Sequence, residues 1–464
     1  MDIRDCRSVY FLGIGGIGMS ALARYFAGRG AQVSGYDRTP TSLTDELLSE
    51  GMDIHFEEDP GLIPPGTDLV IYTPAIPEEN IELQQVREKG LPLLKRAEVL
   101  GAITRGTRTI AVAGTHGKTT TSTLIAHILC QAGIRCTAFL GGISKNYHSN
   151  YIEQGRQDEG LRFSGGSAEL FVVEADEYDR SFLQLHPYIA VITSADPDHL
   201  DIYQDVGHLL DSFGLFASQT EPGGFLLLRA GLSIPFADPE KSTRYSYHVG
   251  APADFHAEDL KIRQGLYRYN LVTPGGMTGR LLLGLPGIFN LENAVAASAV
   301  AWILGVPEPV LKTALSSYRG VKRRFDFQIL REDFVYIDDY AHHPEELRAC
   351  IQAVKDLYPG REITGVFQPH LYTRTRDLAD GFAESLGMLD RLYLLDIYPA
   401  REKPIPGVTS AMLLDRIRIA NKELVEKSRL IEVLKENRPR VLLTLGAGDI
   451  DQLVAPIAEA FGKE

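Results

Sequence analysis

The sequence feature that most constrains this chain is an apolar run, Ile110–Ala113, followed directly by Gly114-Thr-His-Gly-Lys-Thr-Thr120. The run is typical of a buried β-strand, and a helical pattern of apolar residues follows the glycine segment. A strand, a glycine turn and a helix in this order form a phosphate cradle: backbone N–H groups point at one anion, Lys118 adds a cation, and Thr119 offers a hydroxyl to Mg²⁺. The longer form of this motif would have its first glycine at Val112, so this is a shortened variant. A turn that binds nothing would leave the Gly-Lys-Thr-Thr segment unexplained, and we predict that the chain binds a nucleoside triphosphate.

The composition is that of a soluble globular protein and excludes several classes of function. The 464 residues exceed one ordinary core, so two or three domains are expected. No apolar run is long enough to span a membrane, and the N-terminus lacks the basic start of a signal peptide. The net charge of −14 argues against a nucleic acid partner. Four cysteines without metal-binding spacing favour a reducing, cytoplasmic location. We expect a monomer or a weak homodimer.

The first predicted unit, residues 1–105, alternates strands and helices, as a parallel Rossmann-like sheet does. A strand at Ser8–Leu12 leads into Gly13-Ile-Gly-Gly-Ile-Gly18, and the next strand ends at Asp37. A Gly-x-Gly-x-x-Gly turn followed by an acid is the fingerprint of dinucleotide-binding sites, and it suits other nucleoside diphosphates as well as NAD. A later strand ends at Thr73-Pro-Ala75, which we expect to lie beside the glycine turn.

The second predicted unit, residues 106–322, holds the phosphate loop and two strands that end in acidic or polar residues. One strand runs into Glu174-Ala-Asp-Glu177, and the other runs into residues 193–201, which include His199. Acids after a single strand would most simply form a solvated turn. Two such strand ends beside a phosphate loop favour Mg²⁺, because this ion takes a few protein oxygens and fills its remaining positions with water.

The pattern changes in the second half of this unit. Apolar and polar residues alternate between Asp259 and Leu285, which predicts antiparallel strands added to the parallel sheet. A helix follows, and Asn290 and Asn293 share one face of its first turn. A capping role would account for Asn290, but it accounts less easily for Asn293.

The third predicted unit, residues 323–464, again alternates strands and helices and follows the linker Gly320–Phe325. Each of four predicted strands ends in a loop rich in polar residues or glycine. These loops span Asp338–Pro344, Gln368–Arg376, Asp396–Glu402 and Gly446–Asp449. Such loops at one sheet edge are where function resides. The sequence therefore predicts an α/β protein of three units.

The motifs limit the classes of protein to which the chain could belong. A phosphate loop with Mg²⁺ would serve a motor, a switch, a kinase or a ligase. Three units, two of them suited to phosphorylated ligands, favour an enzyme that joins two molecules while ATP is hydrolysed. In such a ligase a carboxylate attacks the γ-phosphate to give an acyl phosphate, and an amine then displaces phosphate. The charge on the transferring oxygens calls for Lys118, Mg²⁺ and an arginine, and closure of the third unit would exclude water.

Several motifs together resemble the Mur ligases of peptidoglycan synthesis. They are Gly114–Thr120, Glu174–Glu177, Asp198 with His199, Asn290 with Asn293, Lys322–Phe325 and Asp338–Pro344. The resemblance covers nearly the whole length in the expected order, and within the family it favours the branch that adds L-alanine. It implies a Rossmann-like N-terminal domain, a central P-loop ATPase domain and a Rossmann-like C-terminal domain. It also implies ATP-dependent ligation of L-alanine to the carboxylate of UDP-N-acetylmuramate, with ADP and phosphate as products.

The resemblance implies roles for individual residues. Those expected at the UDP-sugar are Gly13, Gly15, Gly16, Gly18, Met19, Ser20, Asp37, Thr73, Pro74 and Ala75. Those expected at ATP are Gly114, Thr115, His116, Gly117, Lys118, Thr119, Thr120, Asn290, Asn293, Arg324, Asp339 and His343. Magnesium would be held by Thr119, Glu174 and His199, and the expected catalytic set is Lys118, Glu174, His199, Arg324 and Asp339. The muramoyl carboxylate and the amino acid would meet Tyr340, His370, Tyr372 and Arg374.

Three departures from the family pattern bear on these expectations. Phe289 replaces a histidine that often precedes the first asparagine, and Ser194 stands where many relatives have asparagine. No lysine follows His199 until Lys241, so a carbamylated lysine, which family members adding later residues use to hold a second metal, is not supported. This absence agrees with the alanine-adding branch.

Three alternatives come from other functions or classes. The nearest is a ligase that attaches a recycled murein peptide to the same nucleotide sugar, although Gln368–Thr375 resembles the alanine-adding branch better. A nicotinamide-dependent oxidoreductase would depend on Gly13–Gly18 and Asp37 alone and would give the phosphate loop no role. A non-catalytic nucleotide-binding switch would not need the polar loops of the third unit.

Overall fold

The computed structural model describes residues 2–154, 170–196, 203, 205–236, 242–263, 266–400 and 402–462. Within these ranges the strands form three sheets, of five, ten and six strands. Most strand interiors are buried, as in parallel sheets that helices cover on both faces. In the same ranges, no helix combines the length and the apolar character that crossing a membrane requires.

The N-terminal sheet is parallel, with the strand order β3-β2-β1-β4-β5. Its strands are β1 (Ser8–Leu12), β2 (Gln32–Tyr36), β3 (Asp53–His55), β4 (Leu69–Tyr72) and β5 (Leu93–Lys95), and its helices are α1 (Ile17–Gly28), α2 (Ser42–Ser49), α3 (Ile81–Glu88) and α4 (Arg96–Thr104). The chain winds outward from β1 in both directions. The carboxyl ends of β1 and β4 therefore flank a crevice, which is where ligands bind in sheets of this type.

Strand β1 has the predicted bounds, and local features fix where two of the helices begin. Helix α1 begins at Ile17, within the glycine turn itself. Helix α3 begins at Ile81, because the side chain of Asn80 caps it.

The central sheet has the order β15-β14-β13-β12-β11-β10-β6-β9-β7-β8. Its strands are β6 (Arg108–Ala113), β7 (Cys136–Ser144), β8 (Ser149–Gln154), β9 (Leu170–Glu174), β10 (Ile189–Ile192), β11 (Phe225–Arg229), β12 (Thr243–His248), β13 (Phe255–Arg263), β14 (Leu266–Thr273) and β15 (Gly276–Leu283); the helices are α5 (Lys118–Gln131), α6 (Val206–Ser218), α7 (Ile288–Ile303) and α8 (Glu308–Ser317). Strand β6 lies between β9 and β10 and is parallel to both, so their carboxyl ends meet. The antiparallel pair β14–β15 confirms the predicted addition, whereas the antiparallel pair β7–β8 was not predicted.

The C-terminal sheet has the order β16-β17-β21-β18-β19-β20. Its strands are β16 (Asp326–Leu330), β17 (Val335–Asp339), β18 (Ile363–Phe367), β19 (Arg391–Leu394), β20 (Asn421–Leu424) and β21 (Val441–Leu445); the helices are α9 (Pro344–Leu357), α10 (Tyr372–Asp377), α11 (Ala379–Leu386), α12 (Ser410–Arg416), α13 (Leu430–Asn437) and α14 (Asp451–Gly462). Strand β21 pairs in parallel with both β17 and β18, so the polar loops after these strands share one edge. The antiparallel edge strand β16 was not predicted.

By its internal contacts the chain divides into two compact units. The first comprises Met1–Lys261, Tyr267–Gly284 and Leu291–Arg319, and the second comprises Ile262–Leu266, Leu285–Asn290 and Gly320–Glu464. The first unit holds the five-stranded sheet and nearly all of the ten-stranded sheet, and the second holds the six-stranded sheet. The α/β architecture with its three sheets is as predicted, while the boundaries after residues 105 and 322 stay predictions.

Candidate active site

The phosphate loop lies between the end of β6 and the start of α5. Two of its glycines have positive φ, +134° at Gly114 and +82° at Gly117, which other residues rarely adopt. A Cβ on Gly114 would also lie 2.1 Å from Oγ1 of Thr193, so no side chain fits there. Helix α5 begins at Lys118, and its N-cap residue, Gly117, has no side chain with which to cap it. The first backbone N–H groups of α5 are therefore available to bind an anion.

Hydroxyl groups at the end of β10 hold the loop in this conformation. Oγ of Ser194 accepts the backbone N–H of His116 at 2.7 Å and lies 2.9 Å from Oγ1 of Thr115. Oγ1 of Thr193 donates to the carbonyl of Ala113 at 3.1 Å. Ser194, which stands where many relatives have asparagine, thus supports the loop with a small hydroxyl group. These contacts could not be predicted, because β10 is distant in sequence from the loop.

The ammonium of Lys118 is held by oxygen atoms of the protein. Its Nζ donates to the carbonyl of Gly114 at 2.6 Å and lies 2.8 Å from a carboxylate oxygen of Glu177, whose side chain is 1% exposed. Burial opposes the charge, but the carboxylates of Glu177, Glu174 and Asp176 outweigh it and raise the pKa of Lys118. Lys118 is therefore cationic at neutral pH, as a phosphate-binding lysine must be. The pairing with Glu177 was not predicted from the acidic segment.

Glu174 and Thr119 supply oxygen donors on neighbouring elements. Glu174 is the last residue of β9, beside β6, and Thr119 lies in the first turn of α5. The carboxylate of Glu174 accepts the N–H of Gly141 at 3.1 Å, which fixes its direction. Predicted ligand His199 lies outside the described residues, and the described ones contain no cluster of three or more His, Cys, Asp or Glu that could hold a metal. A hydroxyl and one carboxylate still fit Mg²⁺, whose shell is completed by water and phosphate oxygens.

The glycine turn after β1 is braced by a carboxylate. Gly13 has a φ of +88°, and a Cβ there would lie 2.8 Å from the methyl group of Thr73. Thr73 therefore lies beside the turn, as expected, with Pro74 and Ala75 exposed after it. The N–H of Gly15 donates to Asp37 at 2.8 Å, so this acid shapes the turn. Its contact with a ligand stays a prediction.

The first turn of α1 carries the other residues predicted to contact the UDP-sugar. Gly16 is the N-cap residue and is exposed, and Gly18 is the second residue of the helix. Met19 is 2% exposed and packs in the core, while Oγ of Ser20 accepts Nδ2 of Asn150 at 2.8 Å. The side chains of Met19 and Ser20 thus serve the fold, and the backbone N–H of Ser20 donates to the carbonyl of Gly16 at 2.8 Å, so their contact with a ligand stays a prediction.

The two predicted adenine-facing asparagines lie in α7. Asn290 is 3% exposed and donates from Nδ2 to the carbonyl of Pro286 at 2.7 Å. It lies inside the first turn rather than at the cap, since the helix begins at Ile288. The side-chain oxygen of Asn293 lies 2.5 Å from the place a Cβ on Gly117 would take, so this amide lies beside the phosphate loop. Contact with adenine stays a prediction for both residues.

In the second compact unit, Asp339 organises the loop after β17. Its carboxylate accepts the N–H of Phe325 at 2.7 Å and that of Ala341 at 2.8 Å. Burial raises the pKa of Asp339 to about 7, against the opposing effects of Arg324 and these two N–H groups. The guanidinium carbon of Arg324 lies 5.0 Å from the ring centre of Tyr340, within reach of a cation–π interaction.

A row of four rings lies at the same edge of this sheet. The ring centres are 5.2 Å apart for Tyr340 and His342, 6.1 Å for His342 and His370, and 5.7 Å for His370 and Tyr398. Burial lowers the pKa of His342 to about 4, so this imidazole is neutral at pH 7. The structure thus brings together Tyr340 and His370 and adds His342 and Tyr398, which sequence analysis did not single out.

The remaining predicted residues of this unit lie at helix starts. Tyr372 and Arg374 belong to α10, and Thr373 between them donates its N–H to the carboxylate of Glu402 at 3.0 Å. His343 is the N-cap residue of α9, where its side chain accepts a backbone N–H. A capping role therefore accounts for His343, and its contact with a nucleotide stays a prediction.

Three family models match the chain in succession. The model described as Mur ligase family, catalytic domain, matches residues 8–108, and that described as Mur ligase middle domain matches residues 112–301. The model described as Mur ligase, glutamate ligase domain, matches residues 323–450. Together these matches cover most of the chain.

Individual relatives extend over the full length. The UDP-N-acetylmuramate–L-alanine ligase of Parabacteroides distasonis is 49% identical over 469 residues, covering 100% of this chain and 99% of its own. The protein of the same name from Phocaeicola vulgatus is 47% identical and is covered completely, as is this chain. The solved UDP-N-acetylmuramate–alanine ligase of Thermotoga maritima matches with a TM-score of 0.83 at 27% identity over 98% of this chain and 99% of that one. A murein peptide ligase from Psychrobacter arcticus, at 22% identity, a TM-score of 0.71 and 99% coverage of both chains, shares the fold. The chain belongs to the Mur ligase family.

Proposed function

We propose that this protein joins L-alanine to the carboxylate of UDP-N-acetylmuramate while ATP is converted to ADP and phosphate, a step of peptidoglycan precursor synthesis. The observation that carries this proposal is the 49% identity, over the full length, to a protein named for that reaction. The site supports it, because a charged Lys118 and an open helix start stand ready for phosphate.

The reaction has two steps. A carboxylate oxygen of the muramoyl group attacks the γ-phosphorus of ATP, and the bond from that phosphorus to the bridging oxygen breaks, releasing ADP. The amine of L-alanine then attacks the acyl carbon, loses a proton, and displaces phosphate as the amide forms. In the first step, Lys118 and the N–H groups of α5 stabilise the charge on the transferring phosphoryl oxygens.

Magnesium would be held by Thr119 and Glu174, with His199 as a further ligand. When bound, Mg²⁺ neutralises negative charge on the phosphate oxygens. Without the ion, the carboxylate of Glu174 and the phosphates of ATP would repel each other, so we propose Mg²⁺ as a cofactor.

The two substrates would use the other two sheets. The diphosphate of the UDP-sugar would bind at Gly13–Gly18, where the turn is open. The row of rings from Tyr340 to Tyr398, together with Tyr372, would enclose a small amino acid, and Arg374 would pair with a carboxylate. Arg324 and Asp339 would act at the nucleotide.

The alternatives make different demands on the substrate. A ligase for recycled peptides would accept a tripeptide in place of L-alanine, and the murein peptide ligase match at 22% identity supports the fold alone. An oxidoreductase would bind NADH, and a switch would hydrolyse ATP without an amino acid. Membership of a ligase family over three successive domains opposes both.

A phosphate-release assay tests the proposal. With ATP, Mg²⁺ and UDP-N-acetylmuramate present, we expect release to require L-alanine and to fall with glycine or L-serine. Equal turnover with L-alanyl-γ-D-glutamyl-diaminopimelate would support the peptide ligase instead. Release independent of any amino acid would contradict both ligase assignments.

We also propose that the protein acts in the cytoplasm as a monomer or a weak homodimer. All four cysteines (Cys6, Cys130, Cys136 and Cys350) are free thiols, which suits a reducing compartment. Neither a nucleic acid nor a membrane surface is proposed as a partner. Light scattering of the purified chain at several concentrations would measure its oligomeric state.

A further inference from the structure

Arg96, the first residue of α4, lies between two parts of the site that the chain keeps far apart in sequence. On one side, its Nη2 donates to a carboxylate oxygen of Asp176 at 3.1 Å, in the acidic segment that follows β9. On the other side, a Cβ on Gly18 would lie 2.6 Å from Nη1 and 3.3 Å from Cζ of this arginine. The guanidinium therefore lies directly against the glycine turn of the first sheet.

The absence of a side chain at position 18 leaves room for this guanidinium. Gly18 lies in the helix, outside the left-handed region, so its backbone conformation admits any residue. The obstacle is the arginine, because even a methyl group would have to displace the guanidinium. The third glycine of the turn thus admits a cation that the turn itself lacks.

Part of the guanidinium remains available to a ligand. The bond to Asp176 uses Nη2, and among the described residues neither Nε nor Nη1 has a hydrogen-bond partner. The bond to Asp176 holds the guanidinium in place, and the side chain is 23% exposed, so part of it stays accessible. Free N–H donors on Nε and Nη1 can donate to the oxygen atoms of a phosphate group.

Lys95 offers a useful contrast to Arg96. Its Nζ pairs with Asp179 at 3.0 Å, so it also joins the first sheet to the acidic segment. Nothing places Lys95 against the glycine turn, whereas Arg96 meets Gly18. If joining the two sheets were the whole role of Arg96, the approach to Gly18 would be unnecessary.

We propose that Arg96 binds the diphosphate of the UDP-sugar at the Gly13–Gly18 turn and, through Asp176, positions it relative to the ATP-binding sheet. This inference depends on the proposed function for the identity of the ligand. It adds to the turn a cation that the sequence motif does not contain. It also gives the substrate a direct link to the segment that carries Glu174 and Glu177.

Calorimetric titration of the full chain with UDP-N-acetylmuramate, UDP and ATP tests the proposal. In Arg96→Ala we expect affinity for both UDP ligands to fall by about tenfold or more, since a hydrogen bond to a charged group is lost, and affinity for ATP to stay within about twofold. Lys95→Ala is the matched control and should bind all three ligands like the parent chain. In the ligation assay, Arg96→Ala should raise KM for the UDP-sugar more than it lowers kcat.

Two conservative variants keep the test decisive if Arg96→Ala folds poorly. Arg96→Lys retains the charge but cannot reach Asp176 and the turn together, so we expect an intermediate loss of UDP affinity. Asp176→Asn retains the arginine and should lose less than Arg96→Ala. Equal UDP affinity in Arg96→Ala and Lys95→Ala would overturn the proposal. A loss of affinity confined to UDP-N-acetylmuramate would also overturn it, because Arg96 would then contact the muramoyl carboxylate.

A parent chain that binds UDP but releases no phosphate with L-alanine would instead overturn the proposed function.

Discussion

The two glycine turns of the first compact unit are built alike but differ in where the cation beside each turn comes from. Both follow a buried parallel strand and open onto a helix start. The turn after β6 carries its own cation, Lys118, in the next position along the chain. The turn after β1 contains no cation and has Arg96 placed against it from α4. A site whose cation lies within the motif can be identified from the sequence. A site whose cation comes from another element of the fold can be identified only from the structure.

The largest expected effect comes from removing Lys118, the cation that lies next to the phosphate loop in the chain. Lys118→Ala should lower ligation by roughly 10²–10³-fold or more, because a donor to the transferring phosphoryl group is lost. It also leaves Glu177 buried without its cation, which should cost roughly 3–5 kcal/mol of stability. Phosphate release and urea unfolding would measure the two effects.

The double variant Lys118→Ala/Glu177→Gln separates these effects. It should recover much of the lost stability because no buried charge remains, while ligation stays as low as in the single variant. Ligation near the parent rate in either variant would remove Lys118 from the mechanism.

A second difference between the turns is a buried histidine in the helix that follows the phosphate loop. His127 is 2% exposed, with Nδ1 2.9 Å from the hydroxyl of Tyr147 and Nε2 3.0 Å from that of Ser317. Burial lowers the pKa of His127 from 6.5 to about 4. Between these values the unfolded chain binds more protons, so folding stability should fall by about 3 kcal/mol as the pH drops from 7 to 4.

Comparison with His127→Gln isolates this contribution. The variant should lose less stability than the parent over the same pH range, because the other acidic groups titrate in both proteins. Urea unfolding at several pH values would give the difference. Parallel stability curves for the two proteins would show that His127 is protonated in the folded state as readily as in the unfolded chain. Helix α1 contains no histidine, so no matching variant exists at the first turn.

The turns should also differ in how they tolerate a methyl group. Gly114→Ala would place Cβ 2.1 Å from the Thr193 hydroxyl at a φ of +134°, and we expect a loss of roughly 1–3 kcal/mol. Gly16→Ala would meet nothing nearer than 3.5 Å, and we expect a loss of about 1 kcal/mol or less, from the weaker cap. Thermal unfolding of both variants checks the difference, and equal losses would show that the phosphate loop relaxes freely.

The smallest effects should come from removing the side chains that accept backbone N–H groups of the two turns. Ser194→Ala removes the acceptor for the His116 N–H, and Asp37→Ala removes the acceptor for the Gly15 N–H. Each loss should cost about 1 kcal/mol, or roughly fivefold in affinity. We expect Ser194→Ala to weaken ATP alone and Asp37→Ala to weaken UDP alone. Calorimetric titration of both variants with both ligands would detect any crossover, which would show that the two turns are coupled.

Sequence patterns predicted the parallel strands that end at the candidate sites because each is a short, largely apolar run that ends at glycine or polar residues. They did not predict the parallel strands β3, β5, β11, β12 and β20. They predicted Lys118, Thr119 and Glu174 as candidates because those residues lie within or directly after such patterns. The pairing of Lys118 with Glu177 and the bracing by Thr193 and Ser194 could not be predicted, since they depend on which strands are neighbours.

Two antiparallel strand pairs, β7–β8 and β16–β17, also escaped prediction. Strand β7 contains two adjacent glycines, Gly141 and Gly142, which break the alternation that identifies an antiparallel strand. Strand β16 is short and partly exposed at a sheet edge, so its apolar signal is weak. Arg96 was missed because an arginine at a helix start has no distinctive pattern, and only the approach to Gly18 reveals it.

The ion pair between Lys118 and Glu177 has a consequence for the catalytic cycle. Since the lysine already has an anionic neighbour at 2.8 Å, the loop offers an incoming phosphate little net positive charge. We therefore expect nucleotide to be held mainly by directional hydrogen bonds, with net electrostatic attraction contributing less. A product such as ADP should then dissociate readily, which would let the enzyme empty its site before the next turnover.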